Sequence, residues 1–111
     1  MRRLILPALL VALALGCGSS DSTGPTTAPN QVVIQGFAFN PTPRNISAGT
    51  TVTWVNKDGA THTTTGGSGQ ETWNSGNLSS NASFSHTFNA PGTYQYACTI
   101  HPSMHGTIVV N

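Results

Sequence analysis

From residue 31 onward, apolar and polar positions alternate with a period of two. Val32 and Ile34 lead into Phe37–Phe39 as an opening strand pair, and Val52 and Trp54 alternate with Thr51, Thr53 and Val55. Phe84, His86 and Phe88 alternate with Ser85 and Thr87. Tyr94 and Tyr96 follow a Pro91-Gly92 turn, and Thr107 to Val110 form a closing run. Such alternation marks half-buried strands. Gly49, Gly59, Gly92 and Gly106 fall between or beside the runs, and Asn56-Lys57-Asp58-Gly59 is a turn sequence. No stretch after residue 17 has helical periodicity. The spacing predicts an all-β domain over residues 31–111, a Greek-key β-sandwich of seven to eight strands, with a small barrel as the alternative. Gly66–Ser83 is the least patterned stretch and is expected to wander between strands around Trp73.

The first thirty residues follow other rules. Arg2 and Arg3 precede an apolar stretch of twelve residues, Leu4 to Leu15. About twenty are needed to span a bilayer as a helix, so residues 1–16 are expected to be an export signal rather than an anchor. Leu13-Ala14-Leu15-Gly16-Cys17 resembles the lipobox of bacterial lipoproteins, with Leu15 where Ala or Ser is more usual. The resemblance implies lipidation at Cys17 and attachment to the periplasmic or extracellular face of a membrane. Residues 17–30, rich in Ser, Thr, Gly and Pro, are expected to be a flexible tether. At ~3.3 Å per residue it would reach roughly 45 Å.

Composition sharpens this division. Six of the seven leucines lie in the leader, and only Leu78 follows. Charged residues make up 6% of the chain, against a usual ~25%, while sixteen Thr, eleven Ser and nine Asn supply polarity without charge. The formal net charge of +1 excludes a basic surface for nucleic acid and an acidic tail.

The candidate chemistry lies near the end of the chain, in Cys98-Thr99-Ile100-His101-Pro102-Ser103-Met104. The only other cysteine is Cys17, on the tether, so a disulfide is not expected. A thiolate, an imidazole and a thioether on one seven-residue loop are soft or borderline ligands. Zinc rarely takes a thioether, whereas copper does so in both oxidation states. A trigonal Cu(II)–thiolate plane needs a second imidazole. His62, just beyond the Trp54 strand and its turn, supplies one.

CTIHPSMHGTIVV resembles the copper loop of the cupredoxins, the type 1 blue copper proteins. Its short C-x2-H-x2-M spacing is like that of the amicyanins rather than of plastocyanins or azurins. AGTTVTWVNKDGATHT resembles the segment that carries the first ligand histidine, and APGTYQYAC the penultimate strand. The resemblance implies one copper ion, with Cys98, His62 and His101 as equatorial ligands and Met104 as the long axial one. It also implies coordination through Nδ1 of both histidines. Thr63 stands where relatives often have an asparagine that ties the ligand loops together, and its hydroxyl is suited to part of that task. Ile100 replaces a proline of amicyanin and so retains an N–H, a candidate second donor to the thiolate. Pro102, Ile100 and Met104 flank His101, so a small apolar face is expected over the metal.

The implied function is electron transfer between a donor and an acceptor redox protein by a monomeric, lipid-anchored, non-enzymatic carrier. A copper-sequestering or copper-delivery protein using the same ligands is the alternative. Multicopper oxidases need several His-x-His pairs, and a binuclear electron-entry site needs two loop cysteines. The chain has four histidines, no His-x-His and one loop cysteine. His86 is read as partly packed among Phe84 and Phe88, His105 as exposed, and Trp54 and Trp73 as core.

Overall fold

The computed structural model describes residues 30–111, which contain nine strands and no helix. The leader expected over 1–16, and the tether with Cys17 up to residue 29, lie outside the described residues. Four strands form one sheet: β1 (Gln31–Ile34), β2 (Phe39–Asn40), β4 (Thr50–Asn56) and β7 (Ser83–Phe88), in the order β2-β1-β4-β7. The other five are β3 (Arg44–Ile46), β5 (Thr65–Ser68), β6 (Glu71–Asn74), β8 (Gly92–Ala97) and β9 (His105–Val110). They form a second sheet in the order β3-β9-β8-β5-β6. The chain passes from one sheet to the other after β2, β3, β4, β6 and β7, as the crossovers of a Greek-key sandwich require. Both sheets are mixed, with β1 parallel to β4 and β3 parallel to β9.

Alternation places the core. Val32 and Ile34 of β1, Val52 and Trp54 of β4, Tyr94 and Tyr96 of β8, and Ile108 and Val110 of β9 point between the sheets and are buried. Trp54 has no exposed surface and stacks on Trp73 at 5.7 Å between ring centroids, while the Tyr96 ring meets it edge-on at 5.5 Å. Both tryptophans are therefore core residues. Tyr96 lies so close over Gly106 that any Cβ there would strike its ring.

The structure corrects the expectation for Gly66–Ser83 in its first half, while residues 75–82 form no strand beyond the isolated bridge at Leu78. Instead of wandering, the chain from Thr65 to Asn74 makes an antiparallel hairpin, β5 to β6, which joins the second sheet through β8. It raises the count from the expected seven or eight strands to nine. The hairpin carries little alternation because Gly66 and Gly67 occupy its first strand. A Cβ on Gly66 would lie 2.5 Å from the Gln95 carbonyl oxygen and from Tyr96 Cα, and Gly67 has φ +89°. Close backbone approach and a left-handed conformation thus demand glycine there.

Candidate metal centre

The first ligand segment begins where β4 ends. Asn56 is fully buried, and its amide donates to the carbonyls of Ala60 (2.8 Å) and Leu78 (2.9 Å). Its Oδ1 accepts the N–H of Asp58 at 2.9 Å. One side chain thus fixes both sides of the loop leading to His62. His62 then pairs with Leu78 through N–H···O bonds of 3.1 and 2.7 Å. Nε2 of His62 lies 2.9 Å from Oδ2 of Asp58, so the carboxylate holds the Nε2–H tautomer and leaves Nδ1 free as a ligand atom. Burial pushes the Asp58 carboxyl up, but the amides of Phe37 and Gly36 and the His62 ring outweigh it and leave it below its ordinary value.

The second segment is the connection from β8 to β9. Its ends are drawn together by Cys98 N–H donating to the Met104 carbonyl at 3.1 Å, and Met104 N–H donates to the His101 carbonyl at 2.9 Å. Cys98 is fully buried and carries a free thiol; Met104 is buried, and His101 is half-buried.

Three of the four residues singled out in the sequence converge. The Nδ1 atoms of His62 and His101 are 3.1 Å apart, and each lies 3.8 Å from Cys98 Sγ. All three donor atoms fall within 4.8 Å of one another. Met104 sits buried on the same loop, so it is not part of the outer face expected for it. Ile100, at 44%, and Pro102 are exposed beside His101 as expected, and a further exposed apolar side chain there is Phe37, at 52%. The Phe37 ring lies 5.0 Å from each imidazole.

Thr63 links the two segments. Its N–H donates to Cys98 Sγ at 3.3 Å, and its hydroxyl accepts the Thr99 N–H at 2.9 Å and lies 3.0 Å from the Thr99 hydroxyl. Burial pushes the Cys98 thiol up, but the amides of Thr63 and His101 and the two imidazoles bring it down to about 6. The second amide acting on sulfur belongs to His101, not to Ile100 as expected. A thiol so poised is largely thiolate at neutral pH, the form that binds a metal. One thiolate and two imidazoles, preassembled and mostly buried, fit a copper ion of the type 1 class.

A family model described as copper binding proteins of the plastocyanin/azurin family matches residues 27–111. The chain belongs to this family, the cupredoxins. Amicyanin-alpha of Methylorubrum extorquens is 38% identical over 118 residues, which cover 99% of both chains. A solved copper(I) form of an amicyanin mutant superposes with a TM-score of 0.67 at 33% identity, covering 73% of this chain and 80% of that one. A copper-containing nitrite reductase from Thermus scotoductus superposes at 0.70 with 31% identity, covering 79% of this cupredoxin and 23% of the larger chain.

Sequence reasoning missed three residues around the centre. Asn56 and Asp58 read only as turn formers, and Phe37 as part of a strand. The position of Asp58 four residues before His62 was the one available signal. Among the other histidines, His86 is packed as expected, stacking on Trp73 at 5.5 Å, and His105 is exposed.

Proposed function

We propose that this cupredoxin carries single electrons between larger redox proteins. One copper ion per chain would be held by His62, Cys98 and His101, with Met104 of the same loop as a weaker fourth ligand. The observation that carries the reading is the convergence of one thiolate sulfur and two imidazole Nδ1 atoms within 4.8 Å, with Asp58 and Thr63 already orienting them. Copper bound there supplies a one-electron Cu(I)/Cu(II) couple. The chain's own residues keep the donor atoms in place whichever charge the site bears. His62 is fixed by a carboxylate and its bridge to Leu78, and Cys98 accepts the Thr63 amide. The Thr63–Thr99 contacts tie one ligand segment to the other. Protein donors supply the whole ligand set, so no position is reserved for a substrate, and the protein acts as a carrier rather than an enzyme.

We further propose that the chain is exported, lipidated at Cys17 and held as a monomer at the periplasmic or extracellular side of a membrane. The lipobox-like pentapeptide and the short apolar stretch before it support this. Arg44 and Lys57 balance Asp58 and Glu71 over residues 31–111, so encounter with redox partners has no net charge to steer it. A copper-delivery role would use the same donors, but the chain has neither a Met-rich nor a His-rich tract to support it.

The test is optical. Loading with Cu(II) should turn the protein intensely blue through charge transfer from the Cys98 thiolate, and Cys98→Ser should abolish the colour while circular dichroism still reports a folded sandwich. A wild type that binds copper but stays pale would refute the assignment. Reversible one-electron titration without loss of metal would separate a carrier from a delivery protein.

A further inference from the structure

The turn between β1 and β2 is strained in a way that its own sequence does not explain. Gln35 N–H donates to the Ala38 carbonyl at 3.0 Å, which leaves Gly36 and Phe37 as the two central residues of a hairpin loop. Both have positive φ, +66° and +56°. Two-residue hairpins of this kind favour Asn-Gly or Gly-Gly, and an aromatic residue in the left-handed region is an outlier. Phe37 is also 52% exposed, so burial in the core does not compensate for the strain.

What holds the turn is Asp58. Its Oδ1 accepts the Gly36 N–H at 2.8 Å, and its Oδ2 accepts the Phe37 N–H at 2.9 Å. The same Oδ2 takes the Nε2–H of His62. Successive amides closing on one carboxylate form an anion-binding nest, and here the anion is the group that orients a ligand histidine. The turn tip is thereby fixed over the metal centre. The Phe37 ring stands edge-on to His62, at 5.0 Å and 90°, and to His101, at 5.0 Å and 85°. Those two imidazoles are themselves 4.9 Å apart. His62 has its bridge to Leu78 and its carboxylate; His101 is half-buried on a short loop, and its ring leans on Phe37 from outside that loop.

We propose that Phe37 is a positioning residue of the copper centre: strapped down by Asp58, its ring holds the His101 imidazole in ligand orientation and screens the site from water and competing small ligands. A strained conformation retained at a functional site, with compensation supplied by neighbours, is the general pattern. The proposal rests on the ligand assignment above, and its test separates the two.

Phe37→Gly removes the ring and relieves the backbone strain, so the fold should survive, and Phe37→Tyr keeps the ring. In metal-free wild-type protein, NMR should show contacts between Phe37 and His101 ring protons and ring-current shifts on both imidazoles. Phe37→Gly should lose those shifts while melting no lower than wild type. After Cu(II) loading, Phe37→Gly should surrender copper to a chelator about tenfold faster, the scale of one or two edge-to-face aromatic contacts. Cu(II) should also relax bulk-water protons more strongly in that variant, and Phe37→Tyr should restore wild-type values in both assays. Wild-type rates and relaxivity in Phe37→Gly, or failure of Phe37→Tyr to restore them, would overturn the proposal, as would absence of the ring contacts in metal-free wild type. Failure of the ligand assignment would appear instead as a wild type that takes up no copper, and the metal-free contacts would still decide whether Phe37 positions His101.

Discussion

Glu71 and His86 join the two sheets at adjoining edges, and removing the carboxylate should weaken the sandwich far from the metal. Glu71 lies on β6, at the edge of the five-stranded sheet, and His86 on β7, at the edge of the four-stranded one. Oε1 of Glu71 is 2.9 Å from His86 Nε2, and Oε2 accepts the N–H groups of Asn89 and Ala90 at 2.9 Å each. The carboxylate is buried, and His86 is stacked on Trp73. Glu71→Ala would strip three donors of their acceptor. An unsatisfied buried donor costs ~1–3 kcal/mol, and water reaches some of these, so the total should be about 2–4 kcal/mol. For a domain of this size that corresponds to a fall in melting temperature of roughly 10–30 °C. Glu71→Gln keeps an oxygen for the two amides and should cost only about 1 kcal/mol.

The same pair gives a pH signature. Burial pushes the Glu71 carboxyl up, but the His86 ring and the amides of Ala90 and Asn89 outweigh it, so the folded-state value lies below the ordinary 4.5. A depressed carboxylate stabilises the fold fully above its unfolded value, and the contribution disappears as pH falls through the folded one. Stability should therefore decline below about pH 4.5, with a smaller slope in Glu71→Gln than in wild type. Urea unfolding of the metal-free protein, followed by tryptophan fluorescence from pH 7 to pH 2, measures both quantities. A loss under about 1 kcal/mol in Glu71→Ala, or equal slopes in wild type and Glu71→Gln, would refute this account.

Two further predictions concern the link between ligand segments and the hairpin. Thr63→Ala keeps the N–H to Cys98 but deletes the hydroxyl that accepts from Thr99. Copper loss to a chelator should accelerate about fivefold to thirtyfold, from a lost bond of roughly 1–2 kcal/mol, and Thr63→Ser should restore wild-type retention. Gly66→Ala would press a methyl group onto backbone atoms of Gln95 and Tyr96 that cannot swing aside. Thermal denaturation should show at least about 2 kcal/mol of destabilisation, whereas Gly59→Ala, with open space around it, should lose less than about 1 kcal/mol.

The metal loop was legible because its information is local: Cys98, His101 and Met104 lie within seven residues, and soft-ligand chemistry needs that set close together. The sandwich was legible because strands facing a core on one side alternate. The β5–β6 hairpin was not, since Gly66 and Gly67 answer to the backbone packed against them and glycine has no side chain with which to signal a face. The Asp58 strap was hidden for a different reason. Its contacts to Gly36 and Phe37 span 22 and 21 residues, and neither partner carries a side-chain group that announces the bond. For Met104 and Phe37, sequence proximity to His101 misled. Of the chain neighbours expected on that face, Ile100 and Pro102 are exposed but Met104 is buried, and the exposed ring comes from a turn more than sixty residues earlier.

The low charge content acquires a structural meaning once the hydroxyl contacts are placed. On the outer face of the first sheet, Thr51 and Thr87 are register partners with hydroxyls 2.7 Å apart, and Thr53 and Ser85 repeat the arrangement at 2.7 Å. Around the metal, Thr63, Thr65 and Thr99 continue it. Cross-strand pairs that another protein would make from lysine and glutamate are here made from neutral hydroxyls. Both carboxylates of the domain are committed inward, Asp58 to His62 and the β1–β2 turn, Glu71 to His86 and two amides. Hydroxyl pairs feel little screening by salt, and neither they nor the satisfied carboxylates build a long-range field. The exposed Phe37 and Ile100 beside the ligand loop therefore lie in a nearly neutral surface. Such a surface offers apolar area close to the ligand residues and little attraction from a distance.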